Sequence, residues 1–144
     1  VPTIERILVG YDGSVAGAKA LSYAIMLAKN FRAKLYILHV IEAGKLAVTT
    51  EVSMYPSIIE SLERSGREIL TRAVDEARNA GVDVEGLLEM GSDAAETIIN
   101  TADRVNADLI VVGSRGLKGL TRFLLGSVSE KVVRYANRPV LVVH

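Results

Sequence analysis

Between Gly113 and Glu130 the chain reads Gly113-Ser114-Arg115-Gly116-Leu117-Lys118-Gly119-Leu120-Thr121-Arg122-Phe123-Leu124-Leu125-Gly126-Ser127-Val128-Ser129-Glu130, a Gly-x2-Gly-x9-Gly-Ser spacing. Gly113 leaves an apolar run without a side chain, which opens its backbone to a sugar or phosphate, and Gly116 can take positive φ and fold the loop back. Gly126-Ser127 opens a helical pattern. The first amides of a helix have no partner within it, so with the helix dipole they form an anion site suited to a phosphate chain. The hydroxyls of Ser127 and Ser129 can add donors. Two better-known phosphate loops, Gly-x4-Gly-Lys-[Ser/Thr] and Gly-x-Gly-x-x-Gly, are absent. P-loop hydrolysis and dinucleotide binding are therefore poor readings.

A second segment, Gly10-Tyr11-Asp12-Gly13-Ser14, follows another apolar run. Its carboxylate, Asp12, has a plainer reading as a turn residue, because Tyr-Asp-Gly-Ser is good turn chemistry by itself. Ser127 with Glu130 likewise has capping-box spacing, a role compatible with phosphate binding because a cap uses one lone pair and leaves the hydroxyl proton. Arg115, Lys118 and Arg122 read as solvated loop cations. His39 reads as a hydrogen-bonded core histidine, and His144 suggests nothing. One carboxylate without an identified lysine or arginine partner is thin support for phosphoryl transfer, which needs a positioned water, a metal and compensation of transition-state charge.

Both segments must be held by regular elements. Ile7 to Val9 is a buried-strand run. Ser14 to about Asn30 is helical, with Val15, Ala18, Leu21, Ile25 and Ala28 on one stripe. Ala33 to Val40 reads as a second strand, and Glu42 to Ser53 as a loop. Pro56 suits a first helical turn, and Ser57 to Glu60 has capping-box spacing. That helix places Ile58, Ile59, Leu62, Ile69, Leu70, Ala73, Val74 and Ala77 on one face. The pairs Glu60/Arg64, Glu63/Arg67 and Glu68/Arg72 read as its solvated face. Gly66 weakens it by ~1 kcal/mol relative to alanine, and Gly81 ends it as a left-handed cap.

Val82 to Met90 is a weaker third strand. Asp93-Ala94-Ala95-Glu96 starts a helix carrying Ile98, Ile99, Ala102 and Val105. Leu109 to Val112 is the clearest strand, Ser127 to Ala136 a short helix, and Val140 to Val143 the last strand. Strands apolar throughout, separated by helix-length crossovers, imply a parallel sheet covered on both faces. The expected architecture is α/β: one domain over residues 1–144, with an open five-stranded parallel sheet in the order 3-2-1-4-5 and helices on both faces. In that order strands 1 and 4 are neighbours whose following loops diverge, and ligands bind at such a switch point. It is where both glycine-containing segments emerge.

The composition narrows the remaining classes. With 144 residues, 49% of them apolar, the chain can build one ordinary core, burying roughly two-thirds of its unfolded surface. Lys plus Arg equals 17 and Asp plus Glu equals 17, a net charge of +0 that lacks the basic field of a general nucleic-acid binder. The absence of cysteine removes disulfides, thiolate zinc sites and cysteine nucleophiles. No apolar run reaches the ~18 residues of a membrane helix and no signal-peptide pattern opens the chain, so a cytoplasmic domain is the expectation.

Gly113, Gly116, Gly126 and Ser127 match the Gly-2x-Gly-9x-Gly-[Ser/Thr] motif of the ATP-binding branch of the universal stress proteins, and the chain resembles that family over essentially its whole length. Ile7 to Ser14 is similar to the family's opening strand and aspartate loop, and Leu38-His39-Val40 to its second strand. Ala107 to Ser114 is similar to its fourth strand, and Arg138 to Val143 to its closing one. Gly10-Tyr11 stands where some members have Pro-Thr or Pro-Val.

The resemblance implies that backbone around Gly10, Tyr11 and Val40 meets adenine, and that Asp12 and Gly113 meet the ribose. It further implies that Gly116, Gly126, Ser127, Val128 and Ser129 hold phosphates. ATP with Mg²⁺, the metal held mainly by phosphate oxygens and water, is then the expected ligand. The expected function is a nucleotide-dependent switch or scaffold in stress response. A slow ATP-hydrolysing or nucleotidyl-transferring enzyme is the alternative, and a dimeric module without nucleotide a weaker one. The last strand, Val140 to Val143, is an apolar edge without protecting charges, and is expected to pair with a second copy about a two-fold axis.

Overall fold

A computed structural model describes residues 1–44, 54–115 and 125–144. Five strands, β1 (Arg6–Gly10), β2 (Lys34–Glu42), β3 (Val84–Gly91), β4 (Leu109–Gly113) and β5 (Val140–Val143), form one sheet in the order β3-β2-β1-β4-β5. All four pairings are parallel, as helical crossovers between strands require; β3, at one edge, is not apolar throughout and carries Glu85 and Glu89. Among the described residues the helices are α1 (Val15–Phe31), α2 (Tyr55–Asn79), α3 (Ala94–Val105) and α4 (Ser127–Tyr135). The expected loop over 42–53 gives way at its start to β2, which runs on through Glu42; residues 45–53 lie outside the described residues.

Alternate residues along each strand supply two cores. On one face Ile7, Val9, Leu35, Ile37 and Val111 pack against Leu21 and Ala24 of α1 and Leu70 and Ala73 of α2. On the other, Leu8, Leu38, Ile110 and Val112 meet Ala95 and Ile98 of α3 and Val132 of α4. Each large aliphatic side chain buried this way contributes ~1.5–3 kcal/mol of transfer free energy.

The stripe expected on α1 is rotated. Val15 is 90% exposed and Ala18 lies outside, while Gly17, Ala20 and Ala24 join Leu21, Ile25 and Ala28 inside. The small residues let the helix lie close to the sheet, a feature that apolar periodicity alone does not report. Leu62 on α2 is also exposed, at the far edge of its amphipathic face.

Helix ends follow local chemistry with two exceptions. Ser14 caps α1 by accepting from the Gly17 N–H at 3.0 Å, and Asp93 caps α3 by accepting from the Glu96 N–H at 2.8 Å. Gly81, at φ +87°, follows the end of α2 as expected. The Ser57–Glu60 capping box is not formed: α2 starts earlier, at Tyr55, with Pro56 in its first turn and no side-chain cap. Ser127 is likewise not a cap, because Gly126 occupies that position and Ser127 is the first helical residue. In both cases the chain enters the helix before the residue whose side chain matched the signature.

Candidate functional site

The last pair between β1 and β4 is Val9 with Val111, so two residues further on stand Tyr11, just beyond β1, and Gly113, the last residue of β4. There the chain parts: β1 leads to α1 on one face, and β4 leads to α4 on the opposite face. This is the switch point at which open α/β sheets bind ligands.

The Tyr11–Ser14 loop is tightly specified. The Tyr11 N–H donates to the Leu38 carbonyl at 2.9 Å, and the His39 Nδ1 lies 2.9 Å from the Tyr11 carbonyl oxygen. Asp12 Oδ1 accepts from the Ser14 N–H at 2.9 Å, an Asx turn, and Gly13 follows at φ +84°. The plain reading of Asp12 is therefore realised, and it uses Oδ1 only. Gly17 belongs to this arrangement and carried no signal in the sequence. A Cβ there would stand 2.8 Å from Asp12 Oδ1 and 3.0 Å from Tyr11 Cδ1, so glycine allows the loop to lie on the first turn of α1.

On the β4 side, Ser114 is a junction. Its N–H donates to the Val143 carbonyl at 2.8 Å, and its carbonyl accepts from the Gly126 N–H at 2.6 Å and the Ser129 hydroxyl at 3.1 Å. The segment that departs at Ser114 thus returns to it at Gly126, which is what the nine-residue spacing in the motif provides. Gly126 caps α4 with extended backbone (φ −63°, ψ 159°) and, having no side chain, makes no side-chain hydrogen bond to the first amides of α4.

Two candidate site residues have structural roles that the sequence did not reveal. At Gly113 a Cβ would stand 3.0 Å from the Ala16 carbonyl oxygen and 3.1 Å from its carbon, so α1 packing demands this glycine. The Ser129 hydroxyl, 2% exposed as a residue, lies 3.1 Å from both the Ser114 and Gly126 carbonyl oxygens. A hydroxyl has one proton, and carbonyls only accept, so that proton is held inside the fold and Ser129 has its backbone amide to offer.

Ser127 is exposed and Val128 half-buried on the first turn of α4. Gly10 faces Ile98, whose Cδ1 would lie 3.0 Å from a Cβ there. Val40 stands half-buried near the end of β2, in register with Glu89. Gly116 lies outside the described residues, as do Lys118 and Arg122. Gly10, Tyr11, Asp12, Val40, Gly113, Gly126, Ser127, Val128 and Ser129 all occupy the carboxyl-terminal side of the sheet or the helix start beyond it.

Other features of the described residues lie apart from these positions. One surface hollow of ≈ 400 Å³ runs along α2 beside Arg64, Arg67 and Arg72, and another of ≈ 400 Å³ lies between Ile99 of α3 and Tyr135 of α4. Among the described residues no group of three His, Cys, Asp or Glu side chains could hold a metal ion, and no helix is long and apolar enough to cross a membrane.

A parallel sheet of this order, with a glycine-flanked helix start at its switch point, defines a Rossmann-like α/β domain. Residues 3–144 match the model of the universal stress protein family, and the chain belongs to that family. Its relatives include the universal stress protein YxiE of Bacillus subtilis, 40% identical over 149 residues, covering 96% of this chain and 98% of that one. Among solved structures, the protein MJ0577 superposes with a TM-score of 0.89 at 27% identity, over 99% of this chain and 96% of that one. A universal stress protein in complex with cAMP superposes at 0.73 with 31% identity, over 99% and 98% of the two chains. One from Archaeoglobus fulgidus in complex with dAMP superposes at 0.68 with 25% identity, over 100% of each.

Proposed function

We propose that this chain binds an adenine nucleotide, ATP with Mg²⁺, between the Tyr11–Asp12 loop and the start of α4, and that it serves as a nucleotide-dependent switch or scaffold in stress response. The observation that carries this reading is the paired geometry at the switch point. Ser114 ties Gly126 to the end of β4, and β4 pairs with β1, the strand that leads into the Tyr11–Asp12 loop, an arrangement that supports a site shared by the two segments. The amides of Ser127, Val128 and Ser129 supply donors for phosphate oxygens. Asp12 Oδ2 supplies an acceptor for ribose hydroxyls, and the backbone of Gly10, Tyr11 and Val40 borders the base. The cAMP and dAMP complexes of related proteins support an adenine nucleotide as the ligand class.

Binding without efficient turnover is the better reading. Asp12 is the carboxylate among these residues, and one of its oxygens is committed to the Ser14 N–H. Mg²⁺ would be held mainly by phosphate oxygens and water. The same reading includes a homodimer through β5, an apolar strand at the end of the sheet order.

Extraction of nucleotide from gently purified protein, with calorimetric titration of ATP, ADP and AMP in Mg²⁺, tests the proposal. Retained ATP, or saturable binding with ATP preferred, is the expected result. Absence of both retained and added nucleotide would overturn it.

A further inference from the structure

We infer that His39 is a positioning residue for the nucleotide site, acting through the Tyr11 carbonyl; the inference rests on the reading just given. A carbonyl only accepts, so the 2.9 Å contact between His39 Nδ1 and the Tyr11 oxygen requires the proton on Nδ1. The neutral ring is thereby the Nδ1–H tautomer. The preceding peptide unit is held as well, because the Tyr11 N–H donates to the carbonyl of Leu38, the residue before His39. Adjacent residues of β2 thus grip Tyr11 at both its N–H and its C=O. The Tyr11 carbonyl belongs to the peptide plane that carries the Asp12 N–H, so fixing it fixes the direction in which the chain enters Asp12.

The ring itself is held by α2. Gly66, buried within that helix, has His39 Cδ2 2.9 Å and Nε2 3.4 Å from where a Cβ would stand, with Leu88 Cδ1 also at 2.9 Å. This accounts for a glycine at mid-helix, which costs α2 ~1 kcal/mol in intrinsic preference. A long helix therefore presses on an imidazole, and the imidazole holds the loop that presents the ribose-binding carboxylate.

Two amide substitutions separate this role from general packing. In His39→Asn the side-chain amide nitrogen falls near the Nδ1 position, whereas in His39→Gln it falls near Nε2. Both are polar and suit a half-buried site. ATP affinity measured by calorimetry should stay within about twofold of the parent in His39→Asn and weaken about tenfold in His39→Gln, the cost of one lost hydrogen bond. Amide chemical shifts of Asp12, Gly13 and Ser14 in nucleotide-free protein should follow the same division. Equal affinity and equal shifts in the two variants, whether both near the parent or both far from it, would overturn the inference. Failure of the parent protein itself to bind ATP would instead strike the proposed function, and the nucleotide-free shifts would still decide the role of His39.

Discussion

Ala16 occupies the space that a side chain on Gly113 would need, its carbonyl oxygen 3.0 Å and its Cβ 3.4 Å from the position of such a Cβ. The relation joins the first turn of α1 to the last residue of β4, across the switch point. Backbone, unlike a flexible side-chain end, yields only by moving the helix. Gly113→Ala should therefore destabilise the fold by ~1–3 kcal/mol, the usual cost of overpacking. Denaturant titration of the two proteins measures it; equal midpoints would show that α1 can retreat freely.

Gly126→Val addresses the ligand rather than the fold. The backbone at Gly126 is extended, with φ −63° and ψ 159°, a region valine adopts readily. A branched side chain at the cap should obstruct the approach of phosphate to the α4 amides. ATP affinity should fall by at least about 100-fold, or ~2.7 kcal/mol, with the circular dichroism spectrum retained. Unchanged affinity would remove α4 from the site.

Asp93 gives the fold a pH dependence of defined sign. The Glu96 N–H, donating to Oδ1 at 2.8 Å, is the chief cause of a carboxyl pKa below its ordinary value; burial opposes it, and Lys131, 3.1 Å from Oδ2, lowers it further. A carboxylate with a lowered folded-state pKa contributes stability above its unfolded value of ~3.9, and that contribution is lost as pH falls through the lower folded value. Asp93→Ala should cost ~1 kcal/mol at neutral pH through loss of the cap. The difference from the parent should shrink below pH ~4 in paired thermal melts.

The proposed dimer through β5 predicts sedimentation at micromolar concentration as a species of twice the 15.5 kDa chain mass. A single-chain mass at that concentration would leave the β5 edge unpaired and end that part of the proposal.

The strand order was legible because the apolar runs were short, β-branched and separated by unmistakable helical periods; right-handed crossovers then left few arrangements. Ser14 and Asp93 were legible as caps because the side chain and its target lie within three residues of each other. What the sequence concealed was contact between distant segments. Gly66 reads as a blemish in a helix until His39 and Leu88 are seen beneath it, and nothing local shows that Gly113 also makes room for Ala16. Ser129 was credited with a free hydroxyl because nothing local reveals that Ser114, fifteen residues earlier, presents its carbonyl. His39 was recognised as a hydrogen-bonded histidine, but its partner, Tyr11, lies 28 residues away in the loop after β1.

The divergence of α1 and α4 onto opposite faces has a mechanical corollary. The sheet separates two hydrophobic layers, and the helices that open them, one capped by Ser14 and the other by Gly126, both start from the carboxyl-terminal side of the sheet. A molecule lodged there would act as a rivet driven through both, stiffening two outer surfaces at once. Occupancy could then be sensed from either side of the protein by a partner that never reaches the site.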